Sequence, residues 1–341
     1  MTPTFKLTVS GNDITSDVSG RLVQMEWTDG VEEKSDVFTV TLHDADNRLA
    51  VPKKGAKIEL AVGYNGALQK VGSYSVDEAE IDGPPDKLTV RASAAPFVDS
   101  AGKSATARKS KSWEDTTLGE IVQSIAGQLG VSAAIDSSLS SVQITNEQQV
   151  DESDTNFLLR LARRFGGYVK FAQGRMVVAE EGSGKGTGGT SLTATITKQQ
   201  CTSWRVSSGG KAEGLKKVKV RYHDYQTGET KSVEAEIEKP ASAAEFSDVP
   251  WLASNENTFT PPAPAASEPE AKAIAKTTAK RIARATRSFE ITLPGRLDIV
   301  AGGKINLTGF REGVNGNWLV KSVRHRIDSG GWSMTVSGEG A

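Results

Sequence analysis

The sequence predicts a mainly β protein of the α+β class: two similar β-barrel domains, a small α+β domain inserted between them, and a helix before the last strands. Three observations carry this. Apolar and polar residues alternate with period two at both ends of the chain. Amphipathic helical stretches are confined to its middle and to one later segment, and the first and last segments resemble each other. The predicted bounds are 1–102 for the first β-barrel domain, 103–181 for the α+β domain and 182–341 for the second β-barrel domain. The last contains a Pro-rich loop (239–269) and a helix (268–287).

At 341 residues the chain is long enough for two or three domains, each with its own core. Hydrophobic residues make up 37%, charged residues 24%, and the formal net charge is −1. A chain so balanced has no overall attraction to nucleic acid or to an anionic membrane. One cysteine, Cys201, excludes an intrachain disulfide and any multi-cysteine metal site. Packing alone must hold the fold, which suits a reducing cytoplasm. Residues Met1 to Asp13 alternate, and no stretch approaches the ~18 to 20 apolar residues of a membrane span. Neither a signal peptide nor membrane anchoring is therefore expected. The 34 glycines suit many turns between strands.

Strands come first. Phe38, Val40 and Leu42 alternate with Thr39 and Thr41, and Ile58, Leu60 and Val62 repeat the pattern after Gly55. Tyr74 and Val76 follow Gly72, and Leu88 and Val90 follow the turn Gly83-Pro84-Pro85-Asp86. Short strands at this spacing suggest a small barrel or sandwich. Residues 101–112 break the pattern, with Lys103, Arg108, Lys109 and Lys111 among Ser, Thr and Ala and no acid. They read as a solvated linker, a contact to an acidic partner being the alternative.

Two helices follow. Thr117 and Glu120 form a capping box, Leu118, Ile121, Val122, Ile125, Ala126 and Leu129 share one face, and Gly130 stands at the C′ position. The second helix starts near Asp151 to Asp154. Its apolar stripe is Phe157, Leu158, Leu161, Ala162 and Phe165, and Arg160, Arg163 and Arg164 sit late in it, where cations suit the dipole. Tyr168–Ala172 and Arg175–Ala179 read as a hairpin. Residues 181–191, rich in Gly, Ser and Thr, read as a flexible connector. Strand patterning resumes at 192–196 and 218–222. The stretch 239–269 holds Pro240, Pro250, Pro261, Pro262, Pro264 and Pro269 with little periodicity, and reads as a long loop or extended arm. Ser267 and Glu270 form a second capping box, opening a helix whose charge runs from Glu268 and Glu270 to Lys280, Arg281, Arg284 and Arg287. Residues 289–336 are strands again.

The internal likeness is the most informative feature. VFTVTLHDADNRLAVPKKGAKIELAVGY from Val37 lines up with SFEITLPGRLDIVAGGKINLTGF from Ser288. Both run from an alternating strand to Gly-x-Lys-Ile-x-Leu (from Gly55, and from Gly302 or Gly303). GSYSVDEAEID from Gly72 echoes GNWLVKSVRHRID from Gly316, with two extra residues in the second copy. Duplication accounts for this; generic β-patterning is the alternative. If duplicated, three chains in a ring present six similar modules, a route for a three-fold assembly to dock on a six-fold one.

Catalytic signatures are missing. His43, His223 and His325 are far apart and in no ligand spacing, and Cys201 has no partner motif. Glu181-Gly182-Ser183-Gly184-Lys185-Gly186-Thr187 fails the phosphate-loop pattern, because Gly186 follows the lysine. No nucleophile elbow appears, and the adjacent Glu180 and Glu181 read as surface acids. The sequence thus assigns no catalytic, cofactor-binding or metal-ligating residue and implies no cofactor.

Three stretches together carry a family resemblance. They are GSYSVDEAEIDGPPDKLTVRASA; KSWEDTTLGEIVQSIAGQLGV leading to QQVDESDTNFLLRLARRFGGYVKF; and EPEAKAIAKTTAKRIARATRSFEITLPGRLDIVAGGKINLTGF followed by GNWLVKSVRHRID. The chain resembles the phage late-control D proteins, the tail hub of contractile phages, related to the N-terminal part of type VI secretion spike proteins. The most specific piece is Gln-x-x-Glu-Ser-Asp-x-x-Phe-Leu-x-Arg-Leu-Ala, Gln149 to Ala162. The resemblance implies tail-tube-like barrels in a homotrimeric ring below the tail tube and above the spike. Partners would be the spike, the tube or tube-initiator protein and other baseplate proteins, with DNA passing through the lumen. It places the protein in the virion tail after assembly in the host cytoplasm. It implies packing for Phe157 and Leu161, an ion pair for Arg160 and no catalysis. No fused lytic or toxin domain is expected, since the sequence ends at Ala341 soon after the last strand. The alternative is a peptidoglycan-binding or wall-degrading tail component, because DTTLGEIVQSIAGQLGVSAAI from Asp115 resembles the first half of a LysM module; a capped amphipathic helix gives the same string.

Overall fold

The computed structural model describes residues 2–31, 36–94, 107–172, 175–184, 193–208, 214–224, 227–238, 257–262 and 264–341. The first β unit comprises β1 (Pro3–Val9), β2 (Asn12–Asp13), the short helix α1 (Thr15–Ser19), β3 (Leu22–Gly30), β4 (Val37–His43), β5 (Lys57–Tyr64), β6 (Ala67–Asp82) and β7 (Lys87–Ser93). The alternation read from the sequence is the burial pattern observed: Phe38, Val40 and Leu42 of β4 are buried while Thr39 and Thr41 point away. Leu7, Met25, Ile58, Leu60, Tyr74, Leu88 and Val90 join them in one core, which also takes in Ile327 and Trp332 from the far end of the chain.

The α+β part comprises β8 (Arg108–Thr117), α2 (Leu118–Leu129), β9 (Ser132–Ile135), α3 (Ser137–Ser140), β10 (Gln143–Ser153), α4 (Asp154–Arg164), β11 (Gly167–Ala172) and β12 (Arg175–Glu180). The capping box forms as read: Thr117 Oγ1 accepts from the Glu120 amide at 3.2 Å, and Glu120 Oε2 accepts from the Thr117 amide at 2.9 Å. Gly130 closes α2 at φ 70°, a left-handed value glycine adopts freely. The apolar faces of α2 and α4 meet in one core with Phe171, Met176 and Val178 of the β11–β12 hairpin. Beside it, β8 and β10 form an antiparallel ribbon. This corrects the linker reading of 101–112. Residues 101–106 lie outside the described residues, but Arg108 to Ser112 belong to β8. Their cations are paired locally, Arg108 with Asp151 (2.9 Å) and Lys109 with Asp154 (2.6 Å), while Lys111 Nζ sits 3.4 Å over the Trp113 ring. The acids come from across the ladder, where no local charge pattern reveals them.

The last part comprises β13 (Thr193–Thr197), β14 (Ser203–Ser208), β15 (Leu215–Asp224), β16 (Glu229–Glu236), β17 (Asn257–Phe259), α5 (Glu268–Ala285), β18 (Arg287–Pro294), β19 (Lys304–Thr308), β20 (Gly316–Asp328) and β21 (Gly331–Gly340). Three expectations change here. The Pro-rich stretch is not wholly loop, because β17 pairs parallel with β15; residues 239–256 lie outside the described residues. Strands β16, β15 and β17 form a separate small sheet that packs with α5 around Val218, Val220, Ile274 and Ala275, rather than joining a second barrel. The helix ends at Ala285, with Thr286 capping it, and Arg287 opens β18 with its guanidinium 4.4 Å from the Trp318 ring. Connector residues 185–192 lie outside the described residues.

The likeness between the two ends is visible in the ladders. Strands β4, β5, β6 and β7 correspond to β18, β19, β20 and β21, and β3 corresponds to β14. In each set the first pairs with the last, the second with the third and the third with the fourth, all antiparallel. The β3–β4 and β14–β18 pairs also correspond. Backbone bonds match as well: Gly55 N–H to Val76 O (2.8 Å) mirrors Gly302 N–H to Val320 O (2.9 Å), and Val76 N–H to Ala56 O mirrors Val320 N–H to Gly303 O, both 2.9 Å. Gly302, not Gly303, is thus the equivalent of Gly55, and both have left-handed φ (83° and 84°). β-Bulges fall at equivalent places, between Val76 and Glu78 and between Val320 and Ser322. The copies part at β1 and β13, which pair antiparallel with β5 but parallel with β19.

Candidate functional site

The two copies are fused edge to edge. The far half of β20, Ser322 to Asp328, pairs antiparallel with β3, giving the strand order β14-β18-β21-β20-β3-β4-β7-β6. One face of these eight strands covers the two β cores. The other is largely polar, because period-two side chains on every strand point the same way, with Val37 the apolar exception at 38% exposed. Rows of partners cross it: Pro294, Ser333, Arg326, Glu26, Thr39, Arg91 and Glu78 form one, and Thr292, Thr335, Arg324 and Thr28 lie in the next. Hydroxyl pairs recur at equivalent positions, Thr41 with Thr89 at 3.2 Å and Thr292 with Thr335 at 3.3 Å. Charges alternate in sign, Arg326 reaching Glu26 (3.6 Å) and Asp328 (2.6 Å), and Arg91 reaching Glu78 (3.4 Å). Such a face is wettable but has no cationic excess with which to grip phosphates.

Beneath this face an aromatic cluster holds the fusion. His325 stacks on Trp27 with centroids 4.6 Å apart, and Trp332 Nε1 donates to His325 Nδ1 at 3.3 Å. Burial pushes His325 down to about 4, against the weaker pull of Asp29, so it sits neutral and accepting. Tyr64 packs on Trp332 and donates its hydroxyl to Gly295 O at 3.0 Å. The histidine read as packed or exposed is therefore packed. His43 and His223 are exposed at separate places. Cys201 is half-buried, its Sγ 3.5 Å from Thr197 O, and burial raises its pKa.

Polar clusters bind the α+β part to this frame. Lys170 of β11 is buried between Asp29 of β3 and Asp36, the latter at 3.4 Å, and Asp29 Oδ2 also accepts from the Ala301 amide at 2.9 Å. All three parts of the chain thus meet at one lysine. Burial raises Asp36 to about 7 against the opposing pull of Lys170. Burial alone lowers Lys170, but the two facing carboxylates outweigh it and hold it charged. The approach is tight: a Cβ on Gly302 falls 2.5 Å from the Tyr168 hydroxyl. A second cluster joins Arg284 of α5 to Glu181 (3.0 Å) and Glu339 (2.8 Å), with Lys321 3.2 Å from Glu339. A third joins Arg160 to Glu147 (2.6 Å) and Glu152 (3.1 Å), and Arg164 to Glu147 (2.9 Å) and Glu270 (2.5 Å). Phe157 and Leu161 are fully buried, and Arg160 is ion-paired. Of Glu180 and Glu181, read as surface acids, Glu181 lies at a module contact, partly buried and with its pKa raised by burial, while Glu180 accepts from Ser138 within the α+β part.

None of these clusters has the layout of a reaction centre; they are cross-braces. Among the described residues no group of His, Cys, Asp and Glu is placed to hold a metal ion, and no helix is long and apolar enough to cross a membrane. The LysM-like string forms α2, but its following strand β9 is parallel to β12 in the central sheet.

A duplicated, cross-braced β frame with one broad polar face has the build of a structural scaffold. The family "Phage tail baseplate hub (GPD)" matches residues 32–331, and the chain belongs to that family. It is similar, at 28% identity over 98% of this chain and 92% of the relative, to the "Probable baseplate hub protein" of Escherichia phage P2. The fold is similar to that of the 43 kDa tail protein of prophage MuSo2 from Shewanella oneidensis (TM-score 0.72, 13% identity, 98% of each chain). It is also similar to the E. coli c3393 protein, a type VI secretion component (TM-score 0.57, 12% identity, 94% of this chain and 74% of that one). The protein is a structural component of a phage tail baseplate hub, and nothing in these comparisons favours the wall-binding alternative.

Proposed function

We propose that three copies form a ring whose polar sheet faces line a channel, joining the six-fold tube of a contractile tail to its three-fold spike. The observation that carries this is the fusion of two copies of one β unit into a single eight-strand polar face. Three such faces supply six equivalent units and 24 strands. At about 4.8 Å per strand that circumference corresponds to a backbone diameter of about 37 Å, or about 48 Å if the strands tilt by about 40°. The balanced charge of the face suits DNA that must slide rather than bind.

In this reading the chain is organised as 1–102, 103–181 and 182–341, the α+β part bracing the ring from outside. The protein has no catalytic residue, cofactor or metal, assembles in the host cytoplasm and ends in the virion tail, in contact with spike, tube or tube-initiator and other baseplate proteins. The similarity of the fold to c3393, described as resembling the T4 tail proteins gp27 and gp5, supports the link to spikes. Light scattering on the purified chain, alone and with its spike protein, tests the ring. A mass near three times 36.2 kDa supports it; a chain that stays monomeric with the spike present refutes it.

A further inference from the structure

The chain contains its own template for docking a second copy. Within it, the far half of β20 pairs with β3. The repeat makes β6 the equivalent of β20 and β14 the equivalent of β3, and among the described residues both equivalents have an open edge: β6 pairs only with β7 beyond Val76, and β14 only with β18. We propose, resting on the ring reading, that the far half of β6 in one copy pairs antiparallel with β14 of the next, in the register of the β20–β3 fusion.

The register follows residue by residue. Shared partners along the ladders make Glu80, Ile81 and Asp82 equivalent to Arg324, His325 and Arg326. They make Arg205, Val206 and Ser207 equivalent to Glu26, Trp27 and Thr28. In the fusion Arg324 faces Thr28, His325 faces Trp27 and Arg326 faces Glu26. The transferred pairs are therefore Glu80 with Ser207, Ile81 with Val206 and Asp82 with Arg205.

Two observations independent of the register support this partner. The first is burial. Trp27 and His325 are each 3% exposed and Met25 is fully buried, whereas Ile81 is 59% exposed and Trp204, the equivalent of Met25, is 40% exposed. Ile81 and Trp204 thus lie open at the two edges where the other junction would form, while Val206, the equivalent of Trp27, is partly buried against the second β core. An open edge strand carrying exposed Ile and Trp is a liability unless a partner covers it. The second is charge. Arg326 facing Glu26 becomes Asp82 facing Arg205: the signs invert on both strands together and the pair stays complementary. Two independent edges with no shared contact have no reason to invert in concert. The inversion also keeps the edges specific, since it puts Asp82 opposite Glu26 should β6 pair with β3 of a second copy in the same register.

Both edges belong to one heterologous interface, so each copy presents β14 to one neighbour and β6 to the other, and the contact closes into a ring rather than a two-fold dimer. The polar faces then run on from copy to copy without a break.

The test is a disulfide trap in the full chain. Ile81→Cys and Val206→Cys, on a Cys201→Ser background, place two thiols opposite each other across an antiparallel ladder. Cα separations there are about 4.5–5.5 Å, within disulfide range. Oxidation with the spike protein present is expected to give a covalent trimer that neither single cysteine gives. In parallel, Asp82→Arg and Arg205→Asp should each weaken association about tenfold by setting like charges opposite, and the double reversal should restore it. A native trimer whose 81–206 pair stays reduced overturns this pairing and leaves the ring standing. A chain that remains monomeric with spike present overturns both. Single reversals that assemble like the unmodified chain overturn the ion pair and with it the register.

Discussion

Lys170→Met tests whether the three parts of the chain are locked at one buried charge. The ammonium is 4% exposed and lies between Asp29 and Asp36, whose side chains are 18% and 16% exposed. Removing it leaves two carboxylates facing each other with little water. The cost of breaking a buried charge cluster on one side is about 3–5 kcal/mol. At about 2–4 °C per kcal/mol for a unit of 150–250 residues, the melting transition falls by about 6–20 °C. The loss depends on pH in a defined direction. Asp36 already titrates near 7 in the intact cluster, and without the cation its pKa rises further. The deficit is therefore full only above the raised pKa of Asp36 and shrinks as the pH falls through it and Asp36 takes up a proton. Adding Asp29→Asn and Asp36→Asn to Lys170→Met should recover most of the stability, since asparagine still accepts from the Ala301 amide and no charge remains buried. Denaturant unfolding at pH 8 and pH 5 reads all three variants. A Lys170→Met loss below about 1 kcal/mol at pH 8, or one of equal size at both pH values, refutes the argument.

Other outcomes follow from the same geometry. His325 binds its proton more weakly folded, at about 4, than unfolded at 6.5, so its contribution is complete above 6.5 and is lost as the pH falls toward 4, about 3 kcal/mol in all. Asp36 acts in the opposite sense over the same window, contributing most at low pH and less as the pH rises through 7. His325→Phe should thus unmask a stability that falls between pH 4 and 7, read by thermal melts across that range. Gly338→Ala puts a Cβ 1.9 Å from Leu319 O and 2.4 Å from a Phe289 ring carbon, so it should cost about 3 kcal/mol or more by chemical denaturation. Thr117→Ala removes half of a capping box and should cost about 1 kcal/mol, with α2 the first helix to lose amide protection.

Much of this frame was legible because it follows from period and caps. Alternation at Phe38–Leu42, the Thr117–Glu120 box and the glycine after α2 depend on neighbours in sequence, and the structure keeps them. The duplication was legible for the same reason, since Gly-x-Lys-Ile-x-Leu encodes a turn and a strand each time. What eluded sequence reading depends on partners distant in the chain. The cations of β8 read as a linker because Asp151 and Asp154 approach them only through the β8–β10 ladder. Lys170 lies inside the hairpin strand read at Tyr168–Ala172, and its two aspartates lie more than 130 residues upstream, where no local pattern points to it. The small β15–β17 sheet read as part of a second barrel because strand patterning cannot say which sheet a strand joins.

Whether the duplicated polar face lines a channel is read most directly by cryo-electron microscopy of the hub bound to its spike. Three copies around one axis are expected, with six equivalent β units and Thr41, Thr89, Thr292 and Thr335 facing an open lumen. A ring with the polar face turned outward or covered by another subunit, or a copy number that is not three, would contradict this.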